Sequence, residues 1–331
     1  MRGWWLTGIV VAALAAVPLF VHSNVVLNFL IVTLMIALAG QGWNVIGGYG
    51  GQYSFGHAAF FGTGAYVTAI LQTVYGVNAW IGFVAGIAAG AAAGGIIGGL
   101  AFRAGLRSSY FALVTLAFAE VLRILASVAP ITGAGVGILV KLDLRAQSFQ
   151  FQSRATFYYA VLALVAVGLV IAQWLERSRF GAWLIAVREN EDAAMALGVN
   201  ATAVKLGAMV ISAAVTAAAG CFYVQYFLFV DSPIAYGPWI SIEALLTPII
   251  GGVGTVFGAL VGALAVKALG EGAKLVAGDA PGLDLATYGV MLVLVIAFAP
   301  RGLVGALADA WARLVRLFAA SRKSIAEAAH G

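Results

Sequence analysis

The chain has 331 residues, of which 63% are apolar and only 9% are charged. Soluble globular proteins hold roughly 45–50% apolar and about 25% charged residues. Eighteen basic and 13 acidic side chains therefore cannot coat a soluble surface of this size, and the composition predicts a protein that crosses a membrane several times. The net charge of +5 comes from dispersed basic residues, which favour no nucleic-acid partner. One cysteine and three histidines exclude a disulfide framework and a cysteine-rich metal site, so we expect neither a metal nor a cofactor.

Ten apolar stretches approach or exceed the ~20 residues that a membrane helix needs. They are 4–21, 25–46, 58–74, 79–101, 110–128, 157–175, 204–230, 238–252, 255–270 and 284–299. The predicted fold is all-α, a polytopic integral membrane helical bundle of about nine or ten transmembrane helices. We expect a single transmembrane domain over 1–331.

Glycines recur every four residues in two rows. One row is Gly82, Gly86, Gly90, Gly94 and Gly98, and the other is Gly254, Gly258 and Gly262. A fourfold spacing places glycines along one edge of a helix, where a neighbouring backbone can approach closely. Both rows are therefore predicted to be packing edges.

The distribution of Lys and Arg predicts the orientation of the bundle. If six helices precede residue 176, twelve of the basic residues face the cytoplasm: Arg2, Arg103, Arg107, Arg177, Arg179, Arg188, Lys205, Arg301, Arg313, Arg316, Arg322 and Lys323. The loop 176–203, the basic tail 301–331 and both termini are then cytoplasmic, whereas 129–156 lies outside. An even number of crossings must separate the two cytoplasmic segments, so the short stretch 238–252 is expected to cross as well.

The segment 47–57 holds five glycines and several polar residues between two apolar stretches. Each glycine costs a helix about 1 kcal/mol relative to alanine. Broken backbone at membrane depth is tolerated where it is buried or lines a watery cavity. The segment is therefore predicted to be non-helical and near the transport route, with Ser54 and His57 facing it. The alternatives are a turn at the cytoplasmic surface and, for His57, a packing role.

The loop 176–203 is the one substantial charged stretch inside the chain, and it predicts an amphipathic helix over 182–197. The predicted apolar face holds Trp183, Ala186, Val187, Ala194 and Leu197. The polar residues are Arg188, Glu189, Glu191 and Asp192. Gly198 suits the end of this helix, and Asn200 or Thr202 suits the start of the next. Such a helix either lies on the membrane surface or fills a groove on a protein partner.

One motif in this loop resembles a known family. Asp192-Ala193-Ala194-x-x-x-Gly198 is similar to the Glu-Ala-Ala-x-x-x-Gly loop of ATP-binding-cassette (ABC) importer permeases, with Asp in place of Glu. The resemblance implies a coupling helix that docks on an ATPase. The implied coupling residues are Trp183, Val187, Arg188, Asp192, Ala193, Ala194, Leu197 and Gly198. The chain itself has no G-x-x-x-x-G-K-[ST] motif to hold nucleotide phosphates, so ATP is expected to be hydrolysed elsewhere.

Five further motifs resemble one subgroup over roughly 25–305. They are GGQYSFGHAAFFGxGAY (50–66), YFALVTLAFAE (110–120), SIEALL (241–246), GGVGT (251–255) and FAPRGL (298–303). Together they are similar to the LivM-type permeases of branched-chain amino-acid importers. The resemblance implies a bacterial inner-membrane protein, paired with a LivH-type permease, two ABC ATPase subunits and an extracytoplasmic binding protein. Relatives also serve urea and short amides, so these substrates stay open.

Charged side chains within the spans are sparse. Glu120 and Arg123 are three residues apart, which allows them to pair, and Lys267 and Glu271 are four apart. Glu243 lies inside the short stretch 238–252 with no basic residue three or four positions away. An ionisable group within a span is a functional candidate by default. The alternative for Glu243 is that it reaches the outer interface.

The predicted route residues are Ser54, His57, Thr115, Glu120, Ser241 and Glu243. The competing class is a self-sufficient secondary transporter or channel, but such carriers usually keep several carboxylates within their spans. A membrane enzyme is third, since the sequence shows no catalytic set.

Overall fold

A computed structural model describes residues 2–106, 108–277, 283–298 and 302–309. The described chain is almost entirely helical. Its helices are α1 (Arg2–Phe20), α2 (Asn24–Trp43), α3 (His57–Thr73), α4 (Ala79–Arg103), α5 (Ser108–Val128), α6 (Arg154–Arg177), α7 (Arg179–Glu189), α8 (Glu191–Ala196), α9 (Ala201–Phe227), α10 (Ser232–Ala235), α11 (Pro238–Gly251), α12 (Gly258–Ala277) and α13 (Leu283–Phe298). A π-helical segment, Asn44–Tyr49, continues α2. Residues 302–309 are helical too, and the rest of the predicted tail 301–331 lies outside the described residues.

The prediction of an all-α membrane bundle is confirmed. Each of the ten predicted stretches coincides with a helix. Within the described residues, six helical segments are long and apolar enough to cross a membrane: Asn24–Tyr49, Ala79–Arg103, Ser109–Val128, Arg154–Arg177, Ala201–Phe227 and Ser232–Gly251. The short stretch 238–252 belongs to the last of these, because α10 precedes α11 in the same apolar segment.

The centre of the bundle is built from α2, α3, α4 and α9. Its largest fully buried side chains include Trp43, Phe60, Phe61 and Phe222. Hydrophobic burial alone cannot hold helices together in lipid, so close packing has to contribute.

Glycines on α4 provide that packing. A Cβ atom on Gly90 would overlap the Ala217 methyl group of α9, and one on Gly94 would overlap the Ala213 methyl group. At Gly86, a Cβ atom would come within 2.8 Å of the Gly64 carbonyl oxygen on α3. The first predicted glycine row is therefore confirmed as a packing edge.

The second glycine row is only partly right. Gly254 lies in the loop before α12 with a φ of +69°, so it does not share a helix with Gly258 and Gly262. Those two glycines do allow α11 to approach α12: a Cβ atom on Gly262 would overlap the Thr247 carbonyl group. The predicted row failed because Thr255, with its side chain donating to the Gly252 carbonyl oxygen, belongs to a turn and not to a helix.

Away from α7 and α8, two short strands close the other end of the bundle. Strand β1 (Ile138–Leu139) lies in the connection between α5 and α6 and pairs antiparallel with β2 (Phe229–Val230) after α9. Because α6 begins at Arg154, the predicted loop 129–156 is shortened to 129–153.

The α4–α9 packing can be tested with one valine at each of two glycines of the same helix. Gly90→Val would overlap Ala217, and overpacking costs about 1–3 kcal/mol. Gly99 has open space at its Cβ position, so Gly99→Val makes the same change in helix propensity as Gly90→Val but creates no overlap. We expect Gly90→Val, but not Gly99→Val, to lower the melting temperature of the purified protein in detergent. Equal melting temperatures would contradict the packing edge.

Candidate functional site

The backbone between α2 and α3 leaves regular α-helical geometry. It is π-helical over Asn44–Tyr49 and irregular over 50–56, before α3 begins at His57. The non-helical stretch predicted at 47–57 therefore starts later, at Gly50. The π-helical bond from the Gly50 N–H to the Val45 carbonyl is 3.2 Å long, and the widened turn keeps Gly47, Gly48 and Tyr49 within the helix.

His57 is fully buried at the start of α3. Its Nε2 atom lies 3.0 Å from the Ser212 hydroxyl of α9, and that hydroxyl donates to the Gly42 carbonyl at 2.7 Å. The single hydroxyl hydrogen of Ser212 is thus used, so His57 Nε2 carries a hydrogen and donates it to the Ser212 oxygen. Nδ1 of His57 has no hydrogen-bond partner among the described residues.

Other polar contacts satisfy backbone groups in and beside the π-helical and irregular segment 44–56, which we call the break. Ser54 is buried, and its carbonyl oxygen accepts from Trp43 Nε1 at 2.8 Å. Thr115 of α5 accepts from the Phe55 N–H at 3.2 Å. Ser241 of α11 accepts from the Ala58 N–H at 2.9 Å and so caps α3. The structure therefore brings four predicted route residues together around the start of α3, and all four are buried: Ser54, His57, Thr115 and Ser241.

Glu243 of α11 is 5% exposed and pairs with Lys267 of α12, with 2.6 Å between Lys267 Nζ and Glu243 Oε1. Sequence spacing could not reveal this partner, because Lys267 lies 24 residues further along a different helix. The pairing suggested for Lys267 with Glu271 is replaced: Glu271 lies 3.5 Å from Lys274.

Glu120 lies apart from these residues, on the exposed side of α5. Arg123 Nε donates to Glu120 Oε2 at 2.8 Å, and Arg123 Nη2 donates to Oε1 at 2.6 Å. The two side chains are 49% and 31% exposed. A charge within a span costs about 2.5–3.5 kcal/mol by insertion scales, so this exposed pair needs a polar environment.

The segment predicted as one helix over 182–197 is instead two helices, α7 and α8. Asn190 interrupts it with φ −157° and ψ 102°, and the Asn190 side chain accepts from the Ala193 N–H at 3.0 Å. This cap begins α8, because asparagine satisfies a free N–H of a helix start. Gly198 ends α8 with a φ of +87°, as predicted, and Asn200 caps α9.

The two faces of this segment also differ from the prediction. Val187 and Ala194 are buried against Ala201 of α9, whereas Trp183 is 48% and Leu197 is 86% exposed. Ala186, Ala193 and Asp192 are exposed too. Trp183 and Leu197 line an open groove of about 450 Å³, together with Phe180, Gly198, Val199, Asn200, Ala203 and Val204. A single apolar face was predicted because one continuous helix was assumed.

Arg188 connects α7 to the break. Its Nη1 atom donates to the Gly48 carbonyl at 2.9 Å, while Glu189 accepts from Nε and Nη2 at 3.0 and 2.6 Å. The Arg188 stem packs on Gly51, whose φ is +66°. Gly48 in turn contacts the loop after α11, where the Asn44 side chain accepts from the Gly254 N–H at 2.8 Å.

Lys205 holds α8 against α9. Its Nζ atom lies 2.6 Å from Glu191 Oε1, and the two side chains are 4% and 16% exposed. The ammonium also lies 5.2 Å from the centre of the Phe102 ring. Sequence reasoning used Lys205 only for orientation and missed this buried pair.

The family described as "Branched-chain amino acid transport system / permease component" matches residues 25–296. The chain belongs to this permease family. It is therefore a multi-pass inner-membrane transport component of a multi-subunit system, which sets aside the self-sufficient carrier and the membrane enzyme. The resemblance that the five sequence motifs indicated is confirmed.

Known relatives of this permease carry three different names. The high-affinity branched-chain amino acid transport system permease protein LivM of Escherichia coli K12 is 30% identical over 310 residues, which cover 86% of this chain and 71% of LivM. LivH of the same strain is 24% identical over 81% of this chain and 91% of LivH. The fructose import permease protein FrcC of Rhizobium meliloti is 29% identical over 46% of this chain and 42% of FrcC. No solved structure matches this permease significantly.

Proposed function

We propose that this permease is a transmembrane subunit of an ABC importer that moves branched-chain and other hydrophobic amino acids into the cell. The domain over 1–331 forms half of the route, and a LivH-type permease forms the other half. Two separate ATPase subunits hydrolyse ATP, and an extracytoplasmic binding protein delivers the substrate. The names of the LivM and LivH relatives support this assignment. The structural observation that supports a protein partner is the open, largely apolar groove between α7 and the start of α9.

The orientation is part of the proposal. The loop 176–203, the tail 301–331 and both termini lie in the cytoplasm, where ATP is available. The five Lys and Arg residues of the tail and the three arginines of the loop support this placement, although 129–156 also holds three basic residues. Single cysteines at Asn190 or Val136, in a Cys221→Ala background, test it with a membrane-impermeant thiol reagent on intact cells. Labelling at position 136 alone agrees with the orientation, and labelling at position 190 contradicts it.

The ATPase docks on the groove between α7 and the start of α9, which the 197–200 connection also lines. An exposed tryptophan is a typical anchor of a protein interface, Leu197 adds exposed apolar surface beside it, and Asp192 is an exposed acid on the neighbouring α8. The buried residues of the same segment hold it against α9, so the docked helices and the bundle can move together. Trp183, Asp192, Ala193, Leu197 and Gly198 thus face the ATPase.

Charged substitutions in the groove test the docking. Trp183→Asp combined with Leu197→Asp removes both anchors, and losing a central anchor of at least about 2 kcal/mol weakens binding roughly 30-fold. We expect the ATPase to be lost when the variant complex is purified. Val136→Asp is the control, because Val136 is 81% exposed at the other end of the bundle. If the double variant keeps the ATPase and transports normally, the docking proposal is wrong and the segment is only a helix on the membrane surface.

Arg188 passes movement of the docked helices to the break. It contacts Gly48 of the π-helical segment from α7, and Gly48 contacts the loop at Gly254. Glu189 fixes two guanidinium nitrogens, which leaves the third directed at the Gly48 carbonyl. A lysine ammonium has three donors but only one nitrogen, so it lacks the planar fork that pairs with Glu189 while a separate nitrogen reaches Gly48.

Arg188→Lys and Arg188→Ala are therefore expected to keep the ATPase bound but to lower the amount of substrate moved per ATP. The comparison is Arg179→Ala, which removes the same charge from an exposed position of the same helix. Uptake and ATP hydrolysis are measured together in proteoliposomes that contain the complete complex. An unchanged ratio of uptake to hydrolysis in both Arg188 variants would refute this role.

The route passes the residues clustered at the start of α3 and the Lys267–Glu243 pair. Ser54, His57, Thr115 and Ser241 supply polar contacts in an otherwise apolar setting. The Glu243 carboxylate meets the ammonium group of the substrate when the route opens. Urea and short amides are the second candidate substrates, and they would need no carboxylate.

Combining Glu243→Gln with Lys267→Gln tests whether Glu243 binds the substrate or only balances the charge of Lys267. The single variant leaves Lys267 without its carboxylate, whereas the double variant neutralises both members of the pair. If Glu243 receives the ammonium group, leucine uptake stays low in the double variant while ATP hydrolysis persists. Recovery of uptake in the double variant would show that Glu243 serves only to balance Lys267.

A further inference from the structure

The helix α5 is the least buried of the six apolar segments, with 28% of its span inside the protein. Its buried side is a narrow stripe that packs toward α3, α10 and α4. The stripe consists of Phe111, Ala112, Thr115, Ala119 and Ala126. The opposite face is open over its whole length, and its exposed members include Leu113, Leu116, Val121 and Ile124.

A charged pair lies within this open face. Glu120 and Arg123 are eight and five residues before Val128, the last residue of α5, which places them about 12 Å and 8 Å from the helix end. At that depth a charged pair that faced hydrocarbon would be unfavourable, so this face meets water or polar groups of protein. The rest of the face is apolar.

The geometry points to α5 as a wall of the substrate route, with the Glu120–Arg123 pair as a binding site for a zwitterionic amino acid. This inference rests on the proposed function and assigns its substrate class to particular groups. The Glu120 carboxylate accepts hydrogen bonds from the ammonium group. The Arg123 guanidinium donates to the carboxylate, and the apolar tail lies against Leu116 or Ile124.

The donors and acceptors that this site needs are present. Arg123 uses Nε and Nη2 toward Glu120, which leaves Nη1 and the second hydrogen of Nη2 to donate elsewhere. Each Glu120 oxygen has a second lone pair. An amino acid carries its opposite charges on neighbouring atoms, so it can lie against the pair with each charge beside its opposite. A sugar or urea carries no such charges and can form only hydrogen bonds there, without the two charge–charge contacts.

The second permease supplies the facing wall. This chain is similar to both LivM and LivH, so two subunits of one fold can pair about an approximate twofold axis, each contributing the same helix. The pair then faces the space between the subunits, where water and substrate replace lipid.

The test uses the complete reconstituted complex and compares uptake of leucine with ATP hydrolysis. Glu120→Gln/Arg123→Gln removes both charges, and we expect the KM for leucine to rise at least tenfold while the complex stays assembled and hydrolyses ATP. The matched control is Glu271→Gln/Lys274→Gln, which neutralises another exposed pair of the same spacing on α12. We expect that control to transport leucine normally.

The exchange Glu120→Arg/Arg123→Glu distinguishes a binding site from a structural pair. It rebuilds the ion pair but reverses the direction in which a bound amino acid points its tail. Uptake that stays at least tenfold impaired supports the binding site, and full recovery would overturn it. Wild-type uptake by the neutral double variant would also overturn it. A wild-type complex that moves no leucine would instead contradict the proposed function itself.

Discussion

The arrangement depends on one constraint, which is that a backbone break inside a dry bundle must have its polar groups satisfied by other parts of the protein. Most of the break between α2 and α3 is buried, including Gly48, Ser54 and Gly56, although the Tyr53 and Phe55 side chains are exposed, so protein groups supply most of those hydrogen bonds. Side chains from five helices, α2, α5, α7, α9 and α11, supply them: Trp43 to the Ser54 carbonyl, Arg188 to the Gly48 carbonyl, Thr115 to the Phe55 N–H, Ser212 to the Gly42 carbonyl and Ser241 to the Ala58 N–H. Any movement of one of these helices therefore changes the hydrogen bonding of the break.

The same constraint explains why glycines meet at this place. A Cβ atom on Gly48 would come within 2.7 Å of the Gly254 backbone nitrogen, and one on Gly56 would overlap the Thr115 carbonyl. The two glycine-rich segments, 47–56 and 251–258, thus approach each other through backbone contacts that larger residues would block. Because Arg188 also contacts this region, α7 and both segments form one connected unit.

Sequence patterns predicted what depends on composition and local chemistry. The apolar stretches, the glycine row on α4 and the turn at Gly198 all follow from residue type and short-range spacing. The partners of Glu243 and Lys205 did not follow, because both pairs join separate helices. The interruption between α7 and α8 at Asn190 was missed for a different reason. Hydrophobic periodicity continues across Asn190, and only the hydrogen bond of its side chain shows that a second helix begins.

Two ion pairs and the hydrogen bonds of the break differ in how strongly they join the helices. Lys205–Glu191 and Lys267–Glu243 are largely buried and join neighbouring elements, and breaking such a pair leaves a charge without compensation, at a cost of about 3–5 kcal/mol. They therefore hold α8 to α9 and α11 to α12 as fixed units. The break is held by single hydrogen bonds, each of which contributes only about 0.5–1.5 kcal/mol. A transport cycle would consequently change shape at the break before it opens either buried pair.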